Sequence, residues 1–207
     1  VSASISRPEN IFVVGMPRAD FYFSDLKPEK KYILYFVPSW KPPKILKKEF
    51  SFDQKKYSES VTNVIFDFAI KNPKETIICK FKISSSSDYF FENAIKKKKI
   101  NNIIIKKGGS SEHLIKDAKA VIGFQSSGLI EALILKKPVI IPYFDLNTNQ
   151  KFKECTLRLD NIAYYAYNRE SMLQYLNKVC NNSISFSKNQ IEKIDDIVKH
   201  YIGNNDG

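Results

Sequence analysis

The sequence predicts an α/β protein: a doubly wound parallel sheet of about six strands. Three observations predict it. Short apolar runs of strand length alternate with stretches whose apolar residues recur at helical spacing. The helical stretches are long enough to carry parallel crossovers rather than hairpins. The runs themselves, such as Tyr32 to Val37, show little polar alternation, as expected of strands covered on both faces.

The elements follow in order. Ile11 to Val14 reads as a short strand, followed by the turn-rich Gly15-Met16-Pro17-Arg18-Ala19-Asp20. We place an interdomain linker with that strand over residues 1–26 and a Rossmann-like domain over 27–207. Tyr32 to Val37, closed by Pro38, is a central strand, and the Pro- and Lys-rich stretch from Lys41 to Asp53 is a loop over its carboxyl end. Tyr57 to Ile70 places Val61, Val64, Ile65, Phe68 and Ala69 on a helical face that Pro73 terminates. Thr76 to Phe81 is a strand, Ser84 to Ser87 a capping cluster and Asp88 to Lys98 a helix. Asn102 to Ile105 is a strand leading to the turn Gly108-Gly109-Ser110-Ser111, and Glu112 to Ala118 is a short helix. Ala120 to Phe124, a helical run from the Gln125-Ser126-Ser127-Gly128 turn to Lys137, and Val139 to Pro142 form a β-turn-α-β unit. Asn161 to Tyr165 is a further strand, and Ser171 to Val179 and Asn189 to Tyr201 are helices. In such sheets ligands bind beyond the carboxyl ends of the strands, where the strand order reverses. The turns at Ser39, Phe81 to Ser87, Lys106 to Ser111 and Phe124 to Gly128 fall at those ends.

Composition narrows the class. With 207 residues, 43% of them hydrophobic, the chain can bury a full core. No apolar run approaches the roughly 18–20 residues of a membrane span, and no signal-peptide pattern opens the chain. Because it starts at Val1 rather than Met, we expect a processed or excised piece of a longer protein. Cys79, Cys155 and Cys180 are odd in number and widely spaced, which indicates free thiols in a reducing cytoplasm and neither a disulfide framework nor a metal site. The 33 Lys and Arg exceed the 22 Asp and Glu by 11, concentrated in Lys27 to Lys56 and in Lys96-Lys97-Lys98-Lys99 with Lys106-Lys107. Such a surface attracts nucleic acid, anionic headgroups or phosphorylated small molecules. Equally, a chain this rich in lysine places much of it on a solvated face.

Two features carry chemistry. Ser126, Ser127 and Gly128 offer two hydroxyls and a residue without Cβ at a helix start, an arrangement that receives phosphate and that also serves as an ordinary N-cap. Glu131 sits among Leu129, Ile130, Ala132, Leu133, Ile134 and Leu135, and a carboxylate buried there needs a partner. It can accept from two vicinal hydroxyls such as those of a ribose, or complement the dipole of the first turn, or close a capping box if Gly128 is the cap.

Val121-Ile122-Gly123-Phe124-Gln125-Ser126-Ser127-Gly128, then Glu131-Ala132 and Lys137-Pro138-Val139-Ile140, resembles the nucleotide-binding half of GT-B glycosyltransferases. It is most similar to the enzymes of bacterial surface and capsular polysaccharide synthesis and to the CDP-glycerol glycerophosphotransferases. Gly15 to Asp20 resembles the segment by which those proteins pass from their first domain into their second. The resemblance implies one half of a GT-B fold, with Ser126, Ser127 and Gly128 on the donor diphosphate and Glu131 on its ribose. Where relatives carry Lys-x-His-Pro, this chain has Lys80-Phe81-Lys82, so Lys80 and Lys82 suit phosphate contact rather than proton transfer, or else are ordinary strand-edge lysines. Lys106, Gly108, His113 and Gln125 are candidates for contact with the base or sugar.

The implied activity is transfer of a sugar or polyol phosphate from a nucleotide-activated donor, a nucleotide-sugar or a CDP-polyol, to an acceptor hydroxyl. The donor is a substrate, and no cofactor and no metal is expected. The acceptor domain, with the general base, would be the missing N-terminal half. Peripheral contact with anionic lipid at the inner membrane face is compatible with the lysines, and nucleic acid is not expected as a partner. Two other readings remain: a UDP-sugar 2-epimerase-like enzyme of the same fold, and a non-enzymatic basic module binding nucleic acid or a membrane surface.

Overall fold

The computed structural model describes residues 20–23, 30–39, 52–83, 88–144 and 156–202. The expected strand at Ile11 to Val14, the segment Gly15 to Ala19, the loop Lys41 to Ser51, the serine cluster Ser84 to Ser87 and Cys155 lie outside them. Of the expected linker, the described part is one helical turn, α1 (Asp20–Phe23).

The described strands are β1 (Tyr32–Phe36), β2 (Ile77–Phe81), β3 (Ile103–Lys107), β4 (Ala118–Ile122), β5 (Val139–Pro142) and β6 (Tyr164–Ala166). They form one six-stranded sheet in the order β3-β2-β1-β4-β5-β6, with every pair parallel. The remaining helices are α2 (Gln54–Lys71), α3 (Asp88–Lys98), α4 (Glu112–Lys116), α5 (Gly128–Ile134), α6 (Arg169–Cys180) and α7 (Lys188–Ile202). The doubly wound architecture expected of the sequence is therefore present, and its order reverses between β1 and β4. Right-handed crossovers put α2 and α3 on one face and α4 and α5 on the other. α6 joins the first face by packing on α2, and α7 the second by packing on α5.

Burial explains the unbroken apolar runs. Ile33, Leu34 and Tyr35 of β1 and Ala120, Val121 and Ile122 of β4 are inaccessible to solvent, as strands at the centre of a covered sheet must be. β3 is an edge and reads differently: Ile104, Lys106 and Lys107 are exposed, and charge on an edge strand discourages pairing with another chain. α2 starts at Asp53, whose carboxylate accepts from Lys56 N at 3.0 Å, and buries Tyr57, Val61, Val64, Ile65 and Phe68 in the core. Tyr57 also donates its hydroxyl to the Pro142 carbonyl at 2.8 Å, tying the helix to the end of β5. Asn102, just before β3, donates to the carbonyls of Ala69, Asn72 and Glu75 and so closes the carboxyl end of α2 onto the sheet.

Element boundaries shift where turn chemistry outweighs periodicity. β4 starts two residues early, so Phe124 belongs to the turn rather than the strand. α5 ends at Ile134 because Lys136 has a left-handed φ of 50°. β6 begins at Tyr164 because Asn161, at φ 66°, is part of the preceding turn. β3 runs on through Lys106 and Lys107, which the sequence reading placed in a turn. Cys79 is fully buried on β2, and burial pushes its thiol far up, so it is packing rather than a nucleophile.

The amino end of the sheet is fastened by charge. Lys119 pairs with Glu75 at 2.6 Å, and Lys31 with Asp117 at 3.7 Å. Lys137, from the Lys-Pro segment that opens β5, is 4% exposed and donates to the Ala118 carbonyl at 2.8 Å. Burial, and then the nearby Lys30, lower its ammonium to about 8 from 10.5. Unfolded, it recovers the ordinary value. Below pH 8 both states are protonated and folding carries the full cost of burying the charge. Between about 8 and 10.5 the folded state releases its proton first, so this contribution rises with pH. Relative to Lys137→Met, the wild-type unfolding free energy should therefore gain on the order of 2 kcal/mol between pH 7.5 and 10. Parallel urea titrations of the two proteins measure the difference, and an unchanged difference contradicts the assignment.

Candidate functional site

The reversal point places the ends of β1 and β4 side by side. The segment leaving β4 turns through Gly123-Phe124-Gln125-Ser126-Ser127 into α5. Gln125 makes the turn with a left-handed φ of 54°, unusual for a residue with a Cβ, and its Oε1 accepts from Leu157 N at 3.0 Å. Ser126 Oγ accepts from Gly128 N at 3.3 Å, and the Ser126 and Ser127 carbonyls accept the next amides of the helix. Ser127 stands at the N-cap position with helical angles, but its hydroxyl does not cap the helix and the residue is exposed. Capping thus falls to Ser126, while Ser127 faces outward.

Gly128 has a packing reason that the sequence did not reveal. A Cβ there would lie 2.6 Å from two carbons of the Phe36 ring, and one on Gly123 would lie 3.3 Å from Phe36 Cβ. Phe36, the last residue of β1, therefore seats the whole turn. Register puts Phe36 beside Lys80 and Lys80 beside Lys106, so these three share one face at the carboxyl ends of β1, β2 and β3. Lys80 is 8% exposed and donates to the carbonyls of Gly108 and, at 2.9 Å, Gly109. Burial lowers its ammonium below the usual lysine range. It acts as a bolt on the glycine turn after β3, whose Gly108 and Gly109 have φ of 57° and 70°. Gly108 is further constrained because a Cβ would run into the Ile83 side chain. Lys82 and Lys106 are exposed.

Glu131 is 2% exposed, and the expected partner exists: Tyr22 of α1, itself 6% exposed, donates its hydroxyl to Glu131 Oε2 at 2.6 Å. A carboxylate in an apolar helix is thereby satisfied by a phenol 109 residues away. Glu131 N donates to the Ser127 carbonyl, the ordinary first bond of the helix. His113 is exposed on α4 and takes the Phe21 ring edge-to-face at 4.9 Å, so α1 engages both His113 and Glu131. The structure thus gathers Gln125, Ser126, Ser127, Gly128, Lys80, Lys106 and Gly108 at one end of the sheet. Glu131 lies behind the turn, closed off by Tyr22. Sequence reasoning missed Tyr22 and Phe36.

No known family profile matches the sequence, and no curated protein does. Among solved structures the chain is similar to a TarM variant from S. aureus bound to fondaparinux, α-GlcNAc-glycerol and UDP, with 16% identity over 86% of this chain and 34% of TarM and a TM-score of 0.57. It is similar to the pneumococcal O-GlcNAc transferase GtfA with UDP and GlcNAc, with 12% identity over 85% of this chain and 34% of GtfA and a TM-score of 0.52. It is also similar to the Methanocaldococcus jannaschii UDP-GlcNAc 2-epimerase with UDP-GlcNAc and UDP, with 19% identity over 94% of this chain and 56% of the epimerase and a TM-score of 0.52. The chain spans about a third of the length of the first two. At these identities the likeness is one of fold, and the fold is the GT-B-like, Rossmann-type domain expected of the motifs. Among the described residues no helix is long and apolar enough to cross a membrane.

Replacing Gly128 by Ala forces a methyl into the Phe36 ring and should destabilise the fold by about 1–3 kcal/mol, with Phe36→Leu partly restoring stability in the double variant. Thermal unfolding of the four proteins checks this, and an additive double variant refutes the contact.

Proposed function

We propose that this chain is the donor-nucleotide-binding part of a GT-B glycosyltransferase that transfers a sugar or polyol phosphate to an acceptor hydroxyl in surface polysaccharide synthesis. The observation that supports it most is the turn Gln125 to Gly128, set by Phe36 where the strand order reverses, where ligands of such sheets bind. The TarM, GtfA and epimerase structures all hold UDP, which makes uridine diphosphate the first donor nucleotide to test.

On this reading the Ser126 and Ser127 hydroxyls and the turn amides receive the diphosphate, and Lys82 and Lys106 neutralise it as point charges. In the bolted turn the Gly108 amide donates to Phe81 and both glycine carbonyls accept from Lys80, so the Gly109 amide is the group offered to the base edge, while Gln125 orients the turn after β4. Glu131 reaches the ribose hydroxyls when Tyr22 gives up its hydrogen bond, so the phenol and the donor compete for one carboxylate. Acceptor binding and the general base then lie outside these 207 residues, and the exposed lysines of α3, Lys96, Lys97 and Lys98, are available to an anionic membrane surface.

The M. jannaschii likeness supports a second reading, a UDP-sugar 2-epimerase-like enzyme. NMR of UDP-N-acetylglucosamine incubated with the protein distinguishes it, because only an epimerase inverts the carbon next to the anomeric centre.

The central test is a thermal-shift series with UDP, CDP, GDP and ADP at millimolar concentration. UDP should raise Tm, Glu131→Ala should abolish the shift, and Tyr22→Phe should enlarge it by removing the competing phenol. If no diphosphate moves Tm, the proposal fails. If UDP shifts the wild type and Glu131→Ala alike, Glu131 is structural.

A further inference from the structure

A second concavity lies away from the turn, on the opposite face of the sheet, between α2 and the start of α6. It measures about 420 Å³, within the roughly 300–1,000 Å³ typical of small-ligand sites. Its walls are Ser60, Asn63 and Val64 of α2, Phe144 after β5, and Tyr167, Asn168 and Arg169 at the junction of β6 and α6.

Three properties of the lining point to one ligand chemistry. Tyr167 is 63% exposed, yet its ring is held: Tyr165 stacks on it at 6.3 Å and 22°, and Tyr143 meets it edge-on at 6.0 Å. The fold does not need this ring for its core. An exposed aromatic kept rigid by two others forms a flat platform at little entropic cost. The second property is planar hydrogen-bonding groups with spare capacity. Asn63 is exposed and makes no hydrogen bond among the described residues. Asn168 uses Oδ1 to cap α6, accepting from Ser171 N at 2.8 Å, which leaves its amide hydrogens for a ligand. Arg169 is the third: it donates from Nη2 to Asp67 at 2.6 Å, a carboxylate that also meets Lys98 at 4.0 Å, so the guanidinium is anchored at one nitrogen and keeps further N–H groups for a ligand.

An anchored guanidinium, two open amides and an aromatic face suit a molecule with many hydroxyls and one flat face of C–H bonds. A phosphate has no C–H face to lay on the Tyr167 ring, and a nucleobase has fewer hydroxyl-type groups to satisfy around its rim. We propose that this cleft binds a pyranose saccharide, with Tyr167 stacked on the C–H face of the ring and Asn63, Asn168 and Arg169 donating to or accepting from its hydroxyls. The site is separate from the turn after β4 and stands whether or not that turn binds a nucleotide.

Saturation-transfer NMR tests it on the 207-residue chain without nucleotide, using the methyl glycosides of glucose, galactose and N-acetylglucosamine at millimolar concentration and uridine as a control. At least one glycoside should receive saturation, strongest on the protons of one ring face. Tyr167→Ala and Asn63→Ala, both at exposed positions, should each weaken binding about tenfold with an unchanged thermal midpoint. No transfer to any glycoside, or transfer that Tyr167→Ala leaves intact, overturns the proposal. Transfer to uridine alone that Tyr167→Ala removes makes the cleft a base site and overturns it equally.

Discussion

The contact between Phe36 and the two glycines of the β4 turn is the constraint on which the rest of the site depends. β1 and β4 are neighbours only because the strand order reverses there, and their crossovers depart to opposite faces. That leaves a crevice at their carboxyl ends, and Phe36 lies across it, against Gly123 and Gly128. A Cβ on Gly128 would overlap the Phe36 ring, so ring or turn would have to move, and one on Gly123 would press on Phe36 and Leu129. With none, Gln125 can take its left-handed conformation, Ser126 can accept the Gly128 amide, and α5 can start directly over the sheet.

The polar contacts divide along the sheet in the same way. At the amino end Lys119, Lys31 and Lys137 bind to Glu75, Asp117 and the Ala118 carbonyl, joining β1, β2, β4 and β5 where they start. At the carboxyl end Lys80 holds a turn rather than a strand, and Glu131 is satisfied by a helical turn distant in sequence. The buried ones, Lys137, Lys80 and Glu131, are each paired, as burial demands. The amino-end pairs fix strand to strand, whereas the carboxyl-end pairs fix loops to strands. Alternative arrangements cost less in loops than in a sheet, so adaptability concentrates at the end where ligands of this architecture bind.

Much of the fold was legible in the sequence because it rests on local signals. Tyr32 to Val37 and Thr76 to Phe81 had the length and β-branched content of covered strands, and Pro73 marked the end of α2. The site was legible only in part. The Ser126-Ser127-Gly128 turn could be placed from its neighbours in sequence, but the reason for Gly128 lies on β1, which sequence spacing does not bring near. Glu131 was recognisable as a buried carboxylate in need of a partner, while Tyr22 was not recognisable as that partner, since nothing in a short Asp-Phe-Tyr-Phe turn says what it packs on. Lys80 shows the converse. A lysine beside a candidate phosphate site suggests charge, yet its position on a covered strand commits its ammonium to the Gly108 and Gly109 carbonyls.

Tyr22 and Phe21 extend this logic to the first described turn of the chain. With four residues α1 has no helical stability of its own, so its position is set by what its rings meet. Phe21 meets His113, and Tyr22 reaches Glu131; both contacts lie on the face of the sheet that carries α4 and α5. The phenol excludes water from the carboxylate, which costs free energy, and offsets that cost by supplying the hydrogen-bond donor itself. Any ligand hydroxyl that takes over Glu131 must replace that donor. On the proposed reading a ligand at Glu131 displaces the Tyr22 hydroxyl, so part of the free energy that holds α1 in place would oppose that binding and the two would be linked.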